Sequence, residues 1–257
     1  MRLSQEQLEQ FSREGFLVLP DVFSRREVDR LIRPLARLFS EDVPANFREK
    51  TSGEVRTAMG LHERDPIYAK IVRHPRLLEP AMQLLGPELY VQQVKVNAKP
   101  AFAGEQWQWH YDFATHHQED GVPEPLALNL HVFLDDVTDF NGPLWFIRGS
   151  HRGGPVGAAL DTVTTSYPLW CVDKAAVSRL VEAEGIAPAT GPAGTMLIFG
   201  DALVHASRPN MSPWDRRIFS LIVNPIANRA TRTKRPAHQH GRNFDRVVPL
   251  ADDCLLT

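Results

Sequence analysis

QWQWHYDF, residues 106–113, alternates polar and aromatic side chains at every position, as a β-strand with one buried face does. Six further runs have strand-forming character: LYVQQVKVNAK (89–99), LALNLHVFLDDV (126–137), GPLWFIRG (142–149), GTMLIFG (194–200), ALVHASR (202–208) and RIFSLIVNP (217–225). Turn signals separate these runs. Short strands in this number predict a mainly β fold, a sandwich or a small barrel, with helices packed outside it.

Two capping boxes mark helix starts in the N-terminal part of the chain. Ser4 with Gln7 and Ser24 with Glu27 have the spacing at which side chains satisfy the free N–H groups of a first helical turn. Gly15 should end the first helix, because glycine readily adopts the left-handed conformation that often closes a helix. The sequence therefore predicts at least two helices before the strands.

More elements are predicted in the same part of the chain. FLVLP (16–20) has the character of a strand, and residues 28–39 carry apolar side chains at a spacing of 3.6, which predicts one continuous helix. Residues 65–86 predict one or two further helices, interrupted near Pro75.

The 257 residues are compatible with a single large domain. We expect a helical part over about 1–88, a strand core over about 89–228 and a basic segment over 229–257. Residues 152–190 lack strand alternation and include the helical run DKAAVSRLVEAEG. This stretch is interpreted as an insertion between strands that can serve as a lid.

Charge and composition exclude several classes of protein. The formal net charge is −2, so no global basic field predicts nucleic-acid or membrane binding, and no run approaches the apolar length of a membrane span. Two cysteines are too few for a disulfide framework or a closed cysteine zinc site. The N-terminus lacks the apolar run of a secretory signal. We expect a cytoplasmic protein, a monomer or homodimer, acting on a small molecule.

His110 and Asp112 are the first candidates for chemistry. Side chains two apart in a strand point to the same face, so these two should project together while Trp109, Tyr111 and Phe113 face the other way. An imidazole and a carboxylate on one face are two thirds of the 2-His-1-carboxylate site of non-haem Fe(II) oxygenases. The pair alone is weak evidence, because a His-x-Asp also arises by chance and then forms a surface ion pair.

A third ligand and a carboxylate clamp follow further along the chain. His205 comes after an apolar strand, and Arg216 lies in the next strand, where its guanidinium can hold a carboxylate through two hydrogen bonds. Arg217 is the alternative clamp, since neighbouring strand residues face opposite ways. A metal triad with a nearby clamp is what a keto-acid co-substrate requires.

The chain resembles the phytanoyl-CoA dioxygenase family of Fe(II)/2-oxoglutarate oxygenases, whose pattern is His-x-Asp, a distal His and then an Arg. Further blocks resemble the family in order over about residues 3–230: GFLVLPDVFS, YVQQVKVNAK, EDGVP, NGPLWFIRGSH, GPAGTMLIFG, VHASRPNMSP and RRIFSLIVNP. The likeness is greatest to bacterial hydroxylases of free amino acids, the proline 4-hydroxylases and leucine hydroxylases, with ectoine hydroxylase a further relative. The resemblance implies a double-stranded β-helix, the cupin-like jelly roll, with helices buttressing one sheet.

The resemblance also implies cofactors and their ligands. It implies Fe(II) bound by His110, Asp112 and His205, with 2-oxoglutarate and O2 as co-substrates. It places the far carboxylate of 2-oxoglutarate on Arg216 and sets Asn97 near the same molecule.

Other polar residues are candidates for the pocket. Gln93 and Lys95 share a strand face with Asn97; by resemblance Gln93 approaches substrate, and Lys95 is either a pocket cation or part of a salt bridge at the rim. Asn129 is polar on an apolar strand, which indicates either a contact with the co-substrate or a satisfied core amide. Arg56 occupies a position that resembles an active-site arginine of the amino-acid hydroxylases, although surface arginines are common.

His116 and His117 follow the strand, in what the resemblance makes a loop near the pocket mouth. They are interpreted either as substrate contacts or as solvated loop histidines. For a zwitterionic substrate, Arg56 or Lys95 can bind the carboxylate, and Gln93 or Asp120 the ammonium.

Three alternatives stay open. The basic stretch NRATRTKRPAHQHGR (228–242) either contacts the phosphate of a CoA thioester or is solvated. A non-catalytic jelly-roll binding protein is a second possibility, and it would be expected to lack Asp112 or Arg216. A zinc hydrolase is the third; it needs a general base and has no use for Arg216.

Overall fold

Two antiparallel sheets form the centre of the structure, a computed structural model that describes residues 1–232 and 234–257. In chain order the strands are β1 (Phe16–Leu19), β2 (Asn46–Arg48), β3 (Val55–Met59), β4 (Leu89–Lys99), β5 (Trp107–His110), β6 (Leu128–Phe133), β7 (Leu144–Ile147), β8 (Ala158–Asp161), β9 (Leu169–Val172), β10 (Ile186–Ala189), β11 (Met196–Gly200), β12 (His205–Ser207) and β13 (Arg216–Pro225). The larger sheet has the order β1-β11-β6-β13-β4-β3-β2, and the smaller has the order β10-β7-β12-β5-β9-β8. Each predicted run contains one of these strands, and the two sheets form the predicted jelly roll.

Helices cover the larger sheet and connect the strands. They are α1 (Gln5–Glu14), α2 (Arg25–Ile32), α3 (Leu35–Ser40), α4 (Leu61–Arg64), α5 (Pro66–Ile71), α6 (Pro75–Leu85), α7 (Asp112–Asp120) and α8 (Lys174–Glu184). Among the described residues, no helix has the length and apolar character needed to cross a bilayer.

Both predicted capping boxes are confirmed. The Ser4 hydroxyl accepts the N–H of Gln7 and the Gln7 side chain accepts that of Ser4; Ser24 and Glu27 make the same reciprocal pair at the start of α2. Gly15 closes α1 in the left-handed conformation, with φ of 85°.

The prediction of one continuous helix over residues 28–39 is wrong. α2 ends at Ile32 and α3 begins at Leu35, with Pro34 between them. A proline has no N–H for the helical hydrogen bond, and its ring crowds the preceding turn, so the helix breaks there.

The description of residues 1–88 as helical is incomplete. β2 and β3 form one edge of the larger sheet, and β3 pairs with β4. All five residues of β3, VRTAM, are buried, so the strand does not show the half-polar alternation that would have marked it in the sequence.

Residues 152–190 are more than an insertion. β9 extends the smaller sheet by pairing with β5, and β8 pairs with β9 at the edge, while β10 pairs with β7 on the opposite edge. The predicted helix is present as α8. Whether part of this stretch moves as a lid stays a prediction.

The C-terminal segment packs against the sheet and is not a free tail, although Arg229, Arg232 and Lys234 of the basic stretch are exposed, as the solvated interpretation expects. The Gly241 N–H donates to the Gln92 carbonyl at 2.7 Å, and the Val247 N–H donates to the Leu89 carbonyl at 2.8 Å. A side chain at position 241 would collide with the Val91 carbonyl, so glycine permits this close approach. The segment therefore lies along β4 and forms part of the wall around the space between the sheets.

β4 shows how the larger sheet separates core from cavity. Val94 and Val96 belong to an apolar cluster with the helices, which includes Leu31 and Leu77. Neighbouring strand residues point to opposite faces, so the intervening Lys95 faces the cavity between the sheets.

Candidate active site

Three metal-binding side chains meet between the sheets. His110 ends β5, Asp112 begins α7 and His205 begins β12. One ligand atom from each lies within 4.8 Å of the others, and the two imidazole centroids are 4.1 Å apart. The pairing of β5 with β12 sets His110 directly opposite His205, which brings residues far apart in sequence together. The predicted convergence of the three residues is confirmed.

The predicted reason for that convergence is wrong for Asp112. β5 stops at His110, Tyr111 is the extended residue before α7, and Asp112 is the first residue of the helix. The chain turns at the site, so the carboxylate reaches the histidines from a helix start and not from a shared strand face. Asn129 on β6 donates to Asp112 Oδ2 at 2.9 Å and fixes the carboxylate from the other sheet.

Backbone carbonyls set the tautomers of both histidines. His110 Nδ1–H donates to the Gln108 carbonyl at 2.6 Å, and His205 Nδ1–H donates to the Leu203 carbonyl at 2.9 Å. Each Nε2 is therefore left with a free lone pair. Burial, followed by the proximity of His205, lowers the pKa of His110 to about 3, so the ring is neutral. Two neutral imidazoles and one carboxylate, each oriented by a second group, fit Fe(II).

Arg216 is a buried cation with donors to spare. It is 1% exposed, and its Nη2 donates to the Gly142 carbonyl at 3.1 Å. Within the described residues no carboxylate lies at ion-pair distance from it, and its buried Nε has no hydrogen-bond partner. Burial, and then repulsion from Arg56, lowers the pKa of Arg216 to about 9. An anionic ligand would relieve that cost.

Arg217 is occupied elsewhere. Its Nη2 and Nε donate to the two oxygens of Asp135 at 2.6 and 2.8 Å. Arg216 lines the cavity and Arg217 does not. Of the two neighbours, the geometry therefore favours Arg216 as the carboxylate clamp.

Five of the other predicted residues line the same cavity: Gln93, Lys95, Asn97, His116 and Asn129. Lys95 Nζ donates to Gln93 Oε1 at 2.7 Å, and the Gln93 amide donates to the Gln239 carbonyl at 2.6 Å. Asn97 accepts the Thr57 hydroxyl at 2.9 Å. Lys95 is thus a cavity cation and not part of a rim salt bridge.

Arg56 is not at the cavity surface, so its predicted contact with substrate is contradicted. It is fully buried, paired with Glu49 at 3.0 Å and donating to the Gln106 carbonyl at 2.7 Å. Its guanidinium lies 3.9 Å from the ring centroid of Trp107, which does line the cavity. Arg56 supports the wall from behind.

Asp120 is also misplaced as a direct substrate contact. Its carboxylate is fully buried, outside the cavity lining, and forms an ion pair with Arg235, while His240 Nδ1 lies 3.1 Å from Asp120 Oδ2. Both partners come from the C-terminal segment. Asp120 therefore anchors that segment, and Arg235 is the residue that reaches the cavity.

The interpretation of His116 and His117 as loop residues is wrong, because both lie in α7. His117 is exposed, and its Nδ1 contacts the Val122 carbonyl at 2.9 Å. His116 is 2% exposed and lines the cavity, and its Nδ1 lies 3.5 Å from Asp201 Oδ2. Adjacent helix residues point about 100° apart, which explains their different surroundings.

Among the residues with titratable side chains that line the cavity, sequence reasoning missed three: Tyr167, His131 and Arg235. Arg235 lies in the basic stretch 228–242, whose composition predicts either a phosphate contact or a solvated segment and not a residue of this cavity. His131 follows Asn129 at the strand period of two, and that spacing was an available signal. Tyr167 lies in the stretch interpreted as a lid, where no periodicity marks it.

The hydrogen bond from Asn129 to Asp112 leads to a prediction about metal affinity. Asn129→Ala should weaken Fe(II) binding about 10-fold, because loss of a partner to a metal ligand typically has that effect. Titration of the enzyme with Fe(II) in the absence of 2-oxoglutarate measures this. Asn97→Ala is the control, since Asn97 lines the cavity without bonding to a ligand; equal losses in both variants would contradict the assignment.

Comparison with known proteins gives the same picture. The model of the family described as phytanoyl-CoA dioxygenase (PhyH) matches residues 11–218. The L-proline trans-4-hydroxylase of Streptomyces griseoviridis is 36% identical, with 95% of each chain covered. An ectoine dioxygenase of Bordetella parapertussis is also 36% identical, with 96% of this chain and 86% of the relative covered.

A solved structure agrees in fold. EctD from S. alaskensis with 2-oxoglutarate and 5-hydroxyectoine superposes with a TM-score of 0.85 at 32% identity, covering 97% of this chain and 87% of that one. The same protein with bound Fe superposes with a TM-score of 0.84. The histidine pair, the carboxylate and the unpaired arginine of this chain supply the groups that such an enzyme needs. The chain is therefore a member of the phytanoyl-CoA dioxygenase family, an Fe(II)- and 2-oxoglutarate-dependent dioxygenase.

Proposed function

We propose that the protein hydroxylates a small free L-amino or imino acid at an unactivated carbon. The observation that supports this is that two arginines line one cavity with the metal ligands: Arg216, which is fully buried, and Arg235, whose side chain is 10% exposed. Arg216 serves the far carboxylate of 2-oxoglutarate, and Arg235 serves the carboxylate of the substrate. A reaction between a dicarboxylate co-substrate and an amino acid needs these two anion sites.

Arg235 keeps part of its guanidinium free. Its Nε donates to Asp120 at 3.0 and 3.1 Å, and its Nη2 donates to the same carboxylate. Asp120 therefore takes the Nε edge of the guanidinium fork, and Tyr167 is a second side chain beside this cation. Nη1 makes no hydrogen bond to Asp120 and can donate to a second carboxylate. Because Asp120 is fully buried, it holds this cation in place while the cavity is filled.

The residues that line the cavity have separate roles in this proposal. His110, Asp112 and His205 would hold Fe(II), which with 2-oxoglutarate supplies the oxidation that replaces a C–H by a C–O–H. Asn97 and Asn129 line the cavity and are assigned to 2-oxoglutarate in this proposal; Asn129 also donates a hydrogen bond to Asp112. Trp107 and Phe199, with Leu144 and Leu169, form an apolar lining that excludes water from the reacting carbon.

Gln93 and Lys95 complete the polar wall on β4. Their mutual hydrogen bond uses Gln93 Oε1, which is the acceptor that a substrate ammonium would use. We propose that an amino group entering the cavity competes with Lys95 for this oxygen. Gln93 keeps its predicted place near the substrate ammonium, and Arg235 takes the carboxylate role assigned from sequence to Arg56 or Lys95.

A CoA or carrier-bound acyl group suits this cavity less well. A thioester has no free carboxylate for Arg235, and this arginine of the basic stretch, which was an alternative site for a CoA phosphate, is paired with Asp120. Ectoine is the stronger alternative, because an ectoine dioxygenase is as similar to this chain as a proline hydroxylase is. Ectoine also carries a carboxylate, so only a substrate panel separates the two.

The two other protein classes considered from the sequence, a zinc hydrolase and a non-catalytic binding protein, explain fewer of the residues that line the cavity. A zinc hydrolase has no role for an unpaired buried Arg216, and a silent binding protein needs no neutral histidine pair facing a carboxylate. The proposal retains a cytoplasmic location and a monomer or homodimer.

The test is a substrate panel under turnover conditions. Iron-loaded enzyme with 2-oxoglutarate is incubated with L-proline, L-pipecolate, L-leucine, ectoine and an acyl-CoA, and products are detected by a mass gain of one oxygen atom. Oxygen gain by a free amino or imino acid is expected. Gain only by ectoine or by the acyl-CoA would contradict the proposed substrate class and leave the oxygenase chemistry standing.

A further inference from the structure

His116 and Asp201 form a buried pair directly behind the cavity wall. The Nδ1 atom of His116 lies 3.5 Å from Asp201 Oδ2, and the two residues are 2% and 0% exposed. In the part of the chain that the structure describes, neither carboxylate oxygen of Asp201 accepts a hydrogen bond. The imidazole is thus the group placed to share a proton with this carboxylate.

The burial of the pair determines how many protons it holds. Burial raises the pKa of Asp201, with the charge of Asp112 adding to the effect, and burial lowers the pKa of His116 to about 3, with Arg235 adding to it. A net charge here would be buried without compensation, so the neutral form is favoured. That form has two protons: one shared between Asp201 and Nδ1, and one on Nε2. Wherever the shared proton rests, Nε2 carries an N–H.

That N–H lies on the cavity side of the ring. His116 lines the cavity, and its Nδ1 faces Asp201, so Nε2 is directed away from the carboxylate. Asp120 follows one helical turn later in α7, on the same face as His116, and holds Arg235 by an ion pair. The helix therefore brings two donors to one cavity: the imidazole of His116, which it carries, and the guanidinium of Arg235, which it holds through Asp120.

We propose that His116 Nε2–H and the Nη1 group of Arg235 together form the carboxylate subsite for the substrate, with Asp201 as the positioning residue for His116. The inference rests on the proposed function, from which it takes the free carboxylate. Two donors aimed at one acceptor-only group select a free acid over its amide or thioester, since an amide nitrogen or a thioester sulfur would leave a donor unpaired. The pair is therefore a determinant of substrate class.

The test measures binding of an acid and its amide to variants at position 116. Iron-loaded enzyme with 2-oxoglutarate is titrated without oxygen with L-proline and with L-prolinamide. His116→Phe removes the donor and keeps a ring, His116→Gln restores an N–H near the Nε2 position, and His117→Phe is the matched control on the exposed face of α7.

His116→Phe should weaken L-proline binding about 10-fold or more, the loss expected for one hydrogen bond to a charged group, and change L-prolinamide binding little. His116→Gln should recover most of the preference, and His117→Phe should leave it unchanged. The dissociation constant for 2-oxoglutarate, titrated under the same oxygen-free conditions, should stay constant in all three variants, which separates loss of the subsite from a general loosening of the cavity.

Asp201 has its own readout. Asp201→Leu frees the ring and should reduce the preference for acid over amide as His116→Phe does, whereas Asp201→Asn keeps a neutral donor to Nδ1 and should preserve it.

Three results would overturn the inference in different ways. A wild-type preference for L-proline that survives in His116→Phe, or equal losses for acid and amide, would remove His116 from the subsite and leave the proposed function intact. A wild-type enzyme that binds L-prolinamide as well as L-proline would overturn the subsite alone. If L-proline does not bind, the titrations use the acid that gains oxygen in the panel and its amide; a panel in which no free amino or imino acid gains oxygen would overturn both the subsite and the proposed function.

Discussion

An Asp112→Ala variant should lose iron-dependent turnover by more than about 100-fold, since removal of even an indirect partner of a metal ligand costs 10- to 100-fold. Asp112 supplies the single carboxylate of the triad and reaches both histidines from the start of α7. Without it two neutral imidazoles remain, which hold Fe(II) weakly and leave its charge unbalanced. Succinate release at saturating Fe(II) and direct titration with Fe(II) measure the two parts of the loss.

Asp173→Ala is the matched control for that variant. Asp173 also stands at a helix start, where its side chain accepts the Ala176 N–H at 2.9 Å, but it lies outside the cavity lining. Its loss should cost about 1 kcal/mol of stability, as loss of a helix cap does, and leave turnover unchanged. Full turnover by Asp112→Ala would contradict the metal assignment.

Arg216→Lys should raise the apparent dissociation constant for 2-oxoglutarate about 100-fold, roughly 3 kcal/mol, while the affinity for the amino-acid substrate changes much less. Lysine keeps the charge but loses the planar fork that matches a carboxylate, and its shorter head cannot make the same paired hydrogen bonds. Arg216 is suited to this role because it is buried with an unused Nε. Steady-state kinetics with each substrate varied in turn, supported by anaerobic binding, measures the split.

Arg217→Ala supplies the contrast at the adjacent position. Arg217 is held by Asp135, so its loss should lower the free energy of unfolding without changing the affinity for 2-oxoglutarate. A larger effect of Arg217→Ala than of Arg216→Lys on that affinity would show that the clamp is the other arginine.

The strands and the metal ligands could be predicted because their signals are local. β4 and β6 alternate polar residues that line the cavity with apolar residues that face the core, and β13 is a nearly continuous apolar run; both patterns are typical of strands. The spacing of His110 and Asp112 is likewise readable in the sequence. The conformation of the backbone between those two residues could not be predicted from the sequence. Tyr111 ends the strand and α7 begins at once, which the alternation of QWQWHYDF conceals.

The positions of Arg235 and Arg56 depend on contacts between residues that are far apart in the sequence. Arg235 reaches the site because Asp120, more than one hundred residues earlier, holds it, and no local pattern reports such a pair. A basic stretch is usually solvated. The packing of Gly241 against β4 shows that this segment is anchored to the sheet, and that contact has no local signal in the sequence. Arg56 fails for the complementary reason: its role depends on Glu49 and Trp107, which neutralise and cover it.

The most direct test of the account is the fate of labelled dioxygen during turnover of the amino or imino acid identified by the panel. The account predicts one atom of the label in the hydroxylated acid and one succinate formed for each product molecule. In Asp112→Ala, both label incorporation and succinate formation should be lost. Product oxygen that comes from water, or product formed without succinate, would contradict it.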